Sequence, residues 1–140
     1  MKKFIFLSIG LATFLHLKSC NAQAGEKANQ NSVLQTENVE VYYFHFTRRC
    51  ETCMAVENES RKAVEELYYK AMEEGRITFK ALNLEEEEGK QIASKLNISG
   101  QTLLIVRFGE KIDLTNQGFM YARTDPEKLK KAIQDAIGKI

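Results

Sequence analysis

The stretch VEVYYFHFTRRCETCMAVENESRKAVEELYYKAM, residues 39–72, decides the fold of this 140-residue chain. Residues 39–46 are apolar on both sides, which is typical of a strand covered by helices on both faces. A polar turn, residues 47–49, leads to Cys50 and Cys53, and the segment beyond them repeats apolar residues at helical spacing. The pattern predicts a strand, a turn and a helix, with both cysteines at the start of that helix.

The two cysteines carry the predicted chemistry. Unpaired N–H groups in the first turn of a helix stabilise an anion, and the thiolate is the reactive form of cysteine. Cys50 is therefore the expected attacking thiolate, and Cys53 is the resolving thiol that closes a disulfide with it. A CxxC between a strand and a helix is typical of thioredoxin-like redox motifs, and a structural disulfide and a metal clip are the alternatives.

The charged residues around the motif have opposite expected effects on the pKa of Cys50. Arg48 and Arg49 favour the Cys50 thiolate and Glu51 opposes it, so we expect a pKa below the free value of about 8.5 without an extreme shift. Such a pKa suits a reductant or electron carrier better than a strong oxidase, although both arginines could instead simply solvate the turn. His45 is either a hydrogen-bonded strand residue or a ligand or proton shuttle.

The first 24 residues predict export. Two lysines precede an apolar run, residues 4–17, which is too short to span a bilayer and is followed by small and polar residues. Cleavage after the Ala-Gln-Ala of residues 22–24 would remove Cys20. Residues 17–20 instead resemble the lipobox of bacterial lipoproteins, in which the cysteine is acylated. A buried N-terminal helix is the alternative to a signal.

The predicted organisation is an export signal over residues 1–24, a polar tether over residues 25–38 and one folded domain over residues 39–140. We expect a periplasmic or cell-envelope protein, attached to the membrane only if Cys20 is retained and acylated. Residues 1–24 hold three of the 20 basic residues and none of the 19 acidic ones, so the remainder is close to neutral and we expect no nucleic-acid partner. An exported domain with two cysteines is not a disulfide-stapled scaffold.

Further along, strand and helix patterns alternate. The first helix carries an apolar stripe, places Glu57 on its solvent face and should end before Gly75. A strand over residues 77–84 follows. The acidic run of residues 85–88 then suits the positive end of a second helix better than a metal site.

The last third of the chain predicts a hairpin and a helix. Residues 103–106 and 112–114 form the expected strands around a turn at Gly109-Glu110. Thr124 and Glu127 have the spacing of a capping box, so the final helix should begin there.

Strand, helix, strand, helix, hairpin and helix form the minimal thioredoxin arrangement, and residues 39–140 resemble thioredoxins. The resemblance is carried by residues 75–79, 82–84, 98–100, 102–104 and 109–110. It implies an α/β, thioredoxin-like fold with a four-stranded mixed sheet, built as βαβ, then α, β-hairpin and α, with helices on both faces. It also implies thiol–disulfide exchange with protein thiols or disulfides, in which the Cys50–Cys53 disulfide is the redox group and no other cofactor is needed.

Several positions depart from thioredoxins, which place Trp before the first cysteine and Gly-Pro between the two. Arg49 and Glu51-Thr52 stand there in this chain, so Thr52 joins the candidates for substrate contact or pKa tuning. The buried acid of thioredoxins and its lysine companion fall at Phe44 and Ala81. That proton relay is therefore missing.

Gln101-Thr102 stands where thioredoxins have a cis-proline. A cis peptide without proline costs about 2.5–4 kcal/mol, so we expect a trans peptide and a reshaped substrate loop with Gln101 and Thr102 as contact candidates. In thioredoxins the proline keeps metals off the cysteines. A soft metal ion or arsenite held by Cys50 and Cys53 is therefore an alternative function, although zinc would need two further ligands and only His45 is near.

Residues 42–57 also resemble a small exported thioredoxin-like family labelled nitrophenyl compound nitroreductase subunits, the ArsF family. That label implies a part in reducing nitroaromatic compounds, yet the sequence has no flavin, nicotinamide or haem motif. We therefore expect electron delivery, with a membrane dithiol transporter of the cytochrome-c-biogenesis type as the donor. The alternatives are a binding module, an accessory subunit without catalysis of its own, and a domain with a permanent disulfide.

Overall fold

The computed structural model describes residues 37–140, and the predicted export signal, Cys20 and most of the predicted tether lie outside these residues. Strands and helices follow in the predicted order, with one additional helix. The elements are β1 (Val39–His45), α1 (Glu51–Glu73), β2 (Ile77–Asn83), α2 (Glu87–Leu96), β3 (Thr102–Arg107), β4 (Glu110–Asp113), α3 (Thr115–Tyr121) and α4 (Pro126–Ile137). Among these residues, no helix combines the length and the apolar character needed to cross a membrane.

The four strands form one mixed sheet in the order β2-β1-β3-β4. β1 lies parallel to β2 and antiparallel to β3, and β3 pairs antiparallel with β4. α1 makes the crossover that the parallel pair requires, since a tight turn cannot join parallel strands. At the end of β1, Phe44 pairs with Thr102, the first residue of β3. This register brings the loop before β3 beside the turn that carries the cysteines.

Side chains of β1 alternate between two buried layers, which confirms helices on both faces of the sheet. Val41 and Tyr43 lie in a core shared with α1, α3 and α4. Tyr42 and Phe44 lie in a smaller core covered by α2. Because the strand is tightly packed on both sides, its C-terminal end is a rigid support for the residues that follow it.

Two predicted chain reversals are confirmed. α1 ends with Glu74 as its C-cap, and Gly75 follows at φ +71°, a left-handed conformation that glycine adopts without strain. β3 and β4 are joined by Phe108 and Gly109, which both have positive φ. The hairpin therefore turns one residue earlier than the sequence pattern indicates.

α3 is a short helix that the sequence pattern does not predict. β4 ends at Asp113, and Leu114, predicted as part of that strand, is the N-cap of α3. Gly118 of α3 is buried against α1, where an added Cβ atom would lie 3.0 Å from Val56 Cγ1. Glycine therefore lets α3 pack closely on the first half of α1, near the cysteines.

The start of α4 corrects the capping box predicted from Thr124. Asp125 is the N-cap, and its Oδ1 accepts a hydrogen bond from the Lys128 backbone N–H at 3.3 Å. The Thr124 hydroxyl instead donates to the Met120 carbonyl oxygen at 2.7 Å. Pro126 stands in the first turn, where its missing N–H leaves no helix hydrogen bond unmade.

Candidate functional site

Cys50 is the N-cap of α1 and Cys53 lies in its first turn, as the sequence predicts. Their Cα atoms are 5.1 Å apart and their sulfur atoms form a disulfide. Cys50 Sγ also accepts a hydrogen bond from the Cys53 backbone N–H at 3.2 Å, so one N–H group of the helix start points at this sulfur. On reduction, the same N–H stabilises negative charge on Cys50.

The two cysteines differ in their access to solvent. Cys50 is exposed, whereas Cys53 is only 5% exposed. Both border an open cleft of about 510 Å³, so a partner that enters the cleft meets Cys50 first. The cleft is lined by Phe46, Arg48, Arg49, Cys50, Cys53 and Gln101. Phe46 was not among the predicted site residues, although an exposed aromatic group directly after a buried strand is a signal that could have indicated it.

The loop before β3 brings Gln101 to the buried sulfur. Gln101 Oε1 lies 3.8 Å from Cys53 Sγ, and the Gln101-Thr102 peptide is trans, as expected. Thr102 is buried, and its hydroxyl donates to the Gly100 carbonyl oxygen at 2.9 Å. Of the two predicted contact candidates, Gln101 therefore faces the cleft, and Thr102 closes the loop behind it.

Arg49, the residue before Cys50, forms an ion pair with Glu57. The second Glu57 oxygen accepts a hydrogen bond from Arg61 Nη2 at 3.1 Å. The Glu57 side chain is 16% exposed, so the prediction that it lies on the solvent face is wrong. Burial disfavours the Glu57 carboxylate, but the hydrogen bonds and charges of both arginines outweigh this cost and lower the pKa of Glu57.

The other predicted tuning residues are Glu51, Arg48 and Thr52. Glu51 Oε2 lies 3.3 Å from Arg123 Nη2 in an exposed ion pair, which partly cancels the charge predicted to oppose the thiolate. Arg48 is exposed and lines the cleft. Thr52 is half-buried in the first turn of α1. Arg48 therefore remains the cation with the most open access to the cleft.

His45 is half-buried at the end of β1. Its Nδ1 lies 3.0 Å from the Phe46 carbonyl oxygen and donates to it in the Nδ1–H tautomer. Its ring centroid lies 6.0 Å from that of Tyr43. These contacts agree with the interpretation of His45 as a hydrogen-bonded strand residue. Over residues 37–140, no group of three or more His, Cys, Asp or Glu side chains is arranged to hold a metal ion.

The turn before Cys50 is held by residues at the end of β2 and just after it. Asn83 Nδ2 donates to Thr47 Oγ1 at 2.8 Å, and Glu85 Oε2 accepts a hydrogen bond from the Thr47 backbone N–H at 2.8 Å. The Glu85 backbone N–H donates to Asn83 Oδ1 at 3.0 Å. Hydrogen bonding from Thr47 lowers the pKa of Glu85. Part of the acidic run thus supports the cysteine turn, and its remainder opens α2 as predicted.

Three solved thioredoxins are similar to this chain. Thioredoxin O2 from Arabidopsis thaliana, in the oxidized state, is 20% identical over 76% of this chain and 82% of that chain, with a TM-score of 0.49. The Malassezia sympodialis thioredoxin Mala s 13 is 22% identical over 75% and 80% of the two chains, with a TM-score of 0.48. Thioredoxin from Trypanosoma brucei brucei is 18% identical over 76% and 80%, with a TM-score of 0.46. No protein-family model matches the chain, and a search of curated proteins gave no match.

The four-stranded mixed sheet and the position of the CxxC disulfide at the C-terminal end of β1 are those that the resemblance to thioredoxins implies. The fold is thioredoxin-like. The expected α/β architecture, with a four-stranded mixed sheet and helices on both faces, is confirmed. The resemblance to nitrophenyl compound nitroreductase subunits stays a prediction.

Proposed function

We propose that the protein is a thiol–disulfide oxidoreductase or dithiol electron carrier, in which Cys50 attacks and Cys53 resolves. The observation that carries this proposal is the asymmetry of the pair. Cys50 is exposed at a helix start and accepts the Cys53 N–H, whereas Cys53 is buried behind it and bonded to it. An exposed nucleophile with a protected second sulfur is the arrangement that two-step disulfide exchange requires.

The first step forms a mixed disulfide. The Cys50 thiolate attacks one sulfur of a partner disulfide, a bond forms between the two sulfurs, and the partner's second sulfur leaves as a thiolate that takes up a proton. In the second step, Cys53 gives its proton to solvent and attacks Cys50 Sγ. The intramolecular disulfide forms, and the partner leaves as a dithiol that has gained two electrons and two protons. A second dithiol protein returns the electrons by the reverse steps.

The charges near Cys50 support a reductant or electron carrier. The helix N-terminus and Arg48 favour the thiolate, while Arg49 is paired with Glu57 and Glu51 with Arg123. Two of the nearby charges are thus partly cancelled. The expected pKa of Cys50 is below about 8.5 and well above that of strong oxidases, whose nucleophile has a pKa near 3.5.

The cellular setting of the proposal comes from the sequence. A signal over residues 1–24 would deliver the domain to the periplasm or cell envelope, with Cys20 as a lipid anchor if it is acylated. A membrane dithiol transporter is then the proposed electron donor. A dithiol does not carry out hydride chemistry on a nitro group, so any part in nitroaromatic reduction is electron delivery to a separate reductase.

Trapping a partner tests the proposal. Cys53→Ser should accumulate a mixed disulfide through Cys50 that reducing agent releases, because the resolving thiol is lost. Cys50→Ser is the matched control and should trap nothing, since Cys53 is buried. Mass spectrometry of the trapped adduct names the partner. Equal trapping by both variants, or by neither, would overturn the assignment of roles.

Redox titration against glutathione separates the remaining alternatives. A reversible midpoint between about −270 and −120 mV supports the exchange function. A midpoint below about −300 mV would indicate a permanent structural disulfide. Stoichiometric retention of a thiophilic ion or arsenite by the reduced protein, with slow exchange, would indicate a binding module instead.

A further inference from the structure

One half-buried carboxylate of α1 lies between two arginines next to the dithiol. Glu57 pairs through one oxygen with Arg49 and through the other with Arg61, at 3.1 Å. The side chains of Glu57, Arg49 and Arg61 are 16%, 29% and 41% exposed, so the cluster is partly buried and its carboxylate is the group best shielded from water. The Arg61 guanidinium also lies over the Phe79 ring, 4.6 Å from its centroid, which fixes the far end of the cluster on β2.

We propose that Glu57 sets the redox potential of the dithiol, as a positioning residue that holds Arg49 in the cleft wall and neutralises its charge. This inference rests on the proposed function of Cys50 and Cys53. It assigns a role that neither the helical pattern nor the CxxC motif indicates.

Glu57 affects the sulfur atoms through Arg49. Arg49 directly precedes the N-cap Cys50 and lines the same cleft as both cysteines. An unpaired guanidinium there would stabilise the thiolate and thus the reduced form of the pair. With Glu57 on the same guanidinium, much of that effect is cancelled. The potential is then kept more negative, as suits a reductant.

Glu57 acts as a fixed charge and not as a proton carrier. Both of its oxygens accept hydrogen bonds from arginines, which lower its pKa and keep it ionised at neutral pH. The Tyr43 hydroxyl is buried without a hydrogen-bond partner, and burial raises its pKa to about 12. Neither group exchanges a proton with Cys53 near neutral pH, so the cluster does not replace the missing thioredoxin relay.

Of the charged groups near the dithiol, the Arg49–Glu57 pair is the least exposed to water. Arg48 is exposed, and the Glu51–Arg123 pair is exposed as well, so water and salt screen all three charges. Gln101 is neutral. The polar side chains that line the same cleft as the two cysteines are Arg48, Arg49 and Gln101.

Three variants test the inference, because it predicts the direction in which each one shifts the redox midpoint. Glu57→Gln keeps a hydrogen-bond acceptor for Arg49 but removes the negative charge. It should favour the reduced form about tenfold against glutathione, which shifts the midpoint by about +30 mV for a two-electron couple. Arg49→Gln should shift the midpoint to more negative values. The double variant removes a neutral pair and should return close to the parent.

The pKa of Cys50, measured from thiolate absorbance of the reduced protein, should move with the midpoint. This pKa should fall in Glu57→Gln, rise in Arg49→Gln and be close to the parent value in the double variant. The matched control is Glu66→Gln, at a position on the same helix as Glu57, which breaks an ion pair with Lys130 of α4. Glu66 is about 20 Å from Cys53 along the helix axis, well beyond the Debye length at physiological salt. This control should leave both the midpoint and the pKa unchanged.

The outcomes distinguish a failure of the role of Glu57 from a failure of the exchange function of Cys50 and Cys53. A reversible parent midpoint that does not move in Glu57→Gln, or that moves to more negative values, overturns the role of Glu57 and leaves the exchange function standing. A parent disulfide that glutathione does not reduce overturns both. If Glu57→Gln does not fold, Arg49→Gln still decides, since an unchanged midpoint in that variant contradicts the proposal.

Discussion

Gln101 Oε1 lies 3.8 Å from Cys53 Sγ, so the residue that stands in place of a cis-proline contacts the buried sulfur directly. When the disulfide is reduced, the Cys53 thiol can donate to this oxygen. A thiol that donates a hydrogen bond is stabilised in its protonated form. Gln101 therefore influences the second step of exchange, in which Cys53 must lose its proton.

Gln101→Glu should slow that second step. The variant has nearly the same shape but brings a negative charge to the Cys53 sulfur, which opposes the Cys53 thiolate. A rise of one unit in the pKa of Cys53 would lower its thiolate fraction about tenfold at neutral pH. Because a more basic thiolate is also a better nucleophile, the life of the mixed disulfide would lengthen about threefold. Acid quenching of a single turnover measures the lifetime of the mixed disulfide. Gln91→Glu on the exposed face of α2 is the control, and an equal effect there would contradict a local origin.

The two cysteines should differ in their reaction with iodoacetamide after reduction. Cys50 is exposed and stabilised as a thiolate, whereas Cys53 is 5% exposed, so we expect Cys50 to be modified at least about tenfold faster. Peptide mapping by mass spectrometry at early times gives the ratio. In urea the two rates should converge, because the difference depends on the fold. Faster modification of Cys53 in the native protein would reverse the assigned roles.

Acid should weaken the fold through Glu57 and Glu85. Both carboxyls have a folded pKa below the ordinary value of 4.5, so the unfolded chain binds protons first as the pH falls. The stability they contribute is therefore present above about pH 4.5 and is lost as the pH falls through the folded pKa. The difference in unfolding free energy between the parent and Glu57→Gln should shrink from pH 7 to pH 3. Urea unfolding at each pH measures it, and a constant difference would contradict the ion-pair origin.

Gly89→Ala should destabilise the protein, although alanine normally favours a helix over glycine by about 1 kcal/mol. An added Cβ atom at Gly89 would overlap the Asn83 carbonyl oxygen, so α2 must move away from the end of β2. We expect a loss of about 1–3 kcal/mol in the free energy of unfolding. Gly100→Ala is the control, because an added Cβ atom there meets nothing within 4 Å. Equal stabilities of the two variants would show that the close approach is unimportant.

The sequence predicted the fold well because its strongest signals are local. The apolar strand around Tyr42 and Tyr43, the CxxC at a helix start and Gly75 all follow from short-range pattern, and each is confirmed. The cap of α4 was assigned to Thr124 in place of Asp125 because both neighbouring residues are good caps, and only the end of α3 decides between them.

Site residues beyond the motif depend on contacts that are distant in sequence. Glu57 was placed on the solvent face because its helical position allows either environment, and Arg49 reaches it only once the turn has folded back. Glu85 contacts Thr47 only through the parallel pairing of β1 and β2. Gln101 could be proposed because Gln101-Thr102 stands where thioredoxins have a cis-proline, but its contact with Cys53 depends on the register of β3.

The hydrogen bonds of Thr47, which accepts one from Asn83 and donates one to Glu85, affect how fast a partner can bind. A turn that is already ordered has little conformational freedom left to lose when another protein binds. A partner can therefore bind without first ordering this turn. The turnover rate should then depend on the reactivity of the sulfur atoms and on the release of the product. Residues ten and twelve positions beyond the end of α1 therefore help to order the turn before Cys50 in the absence of substrate.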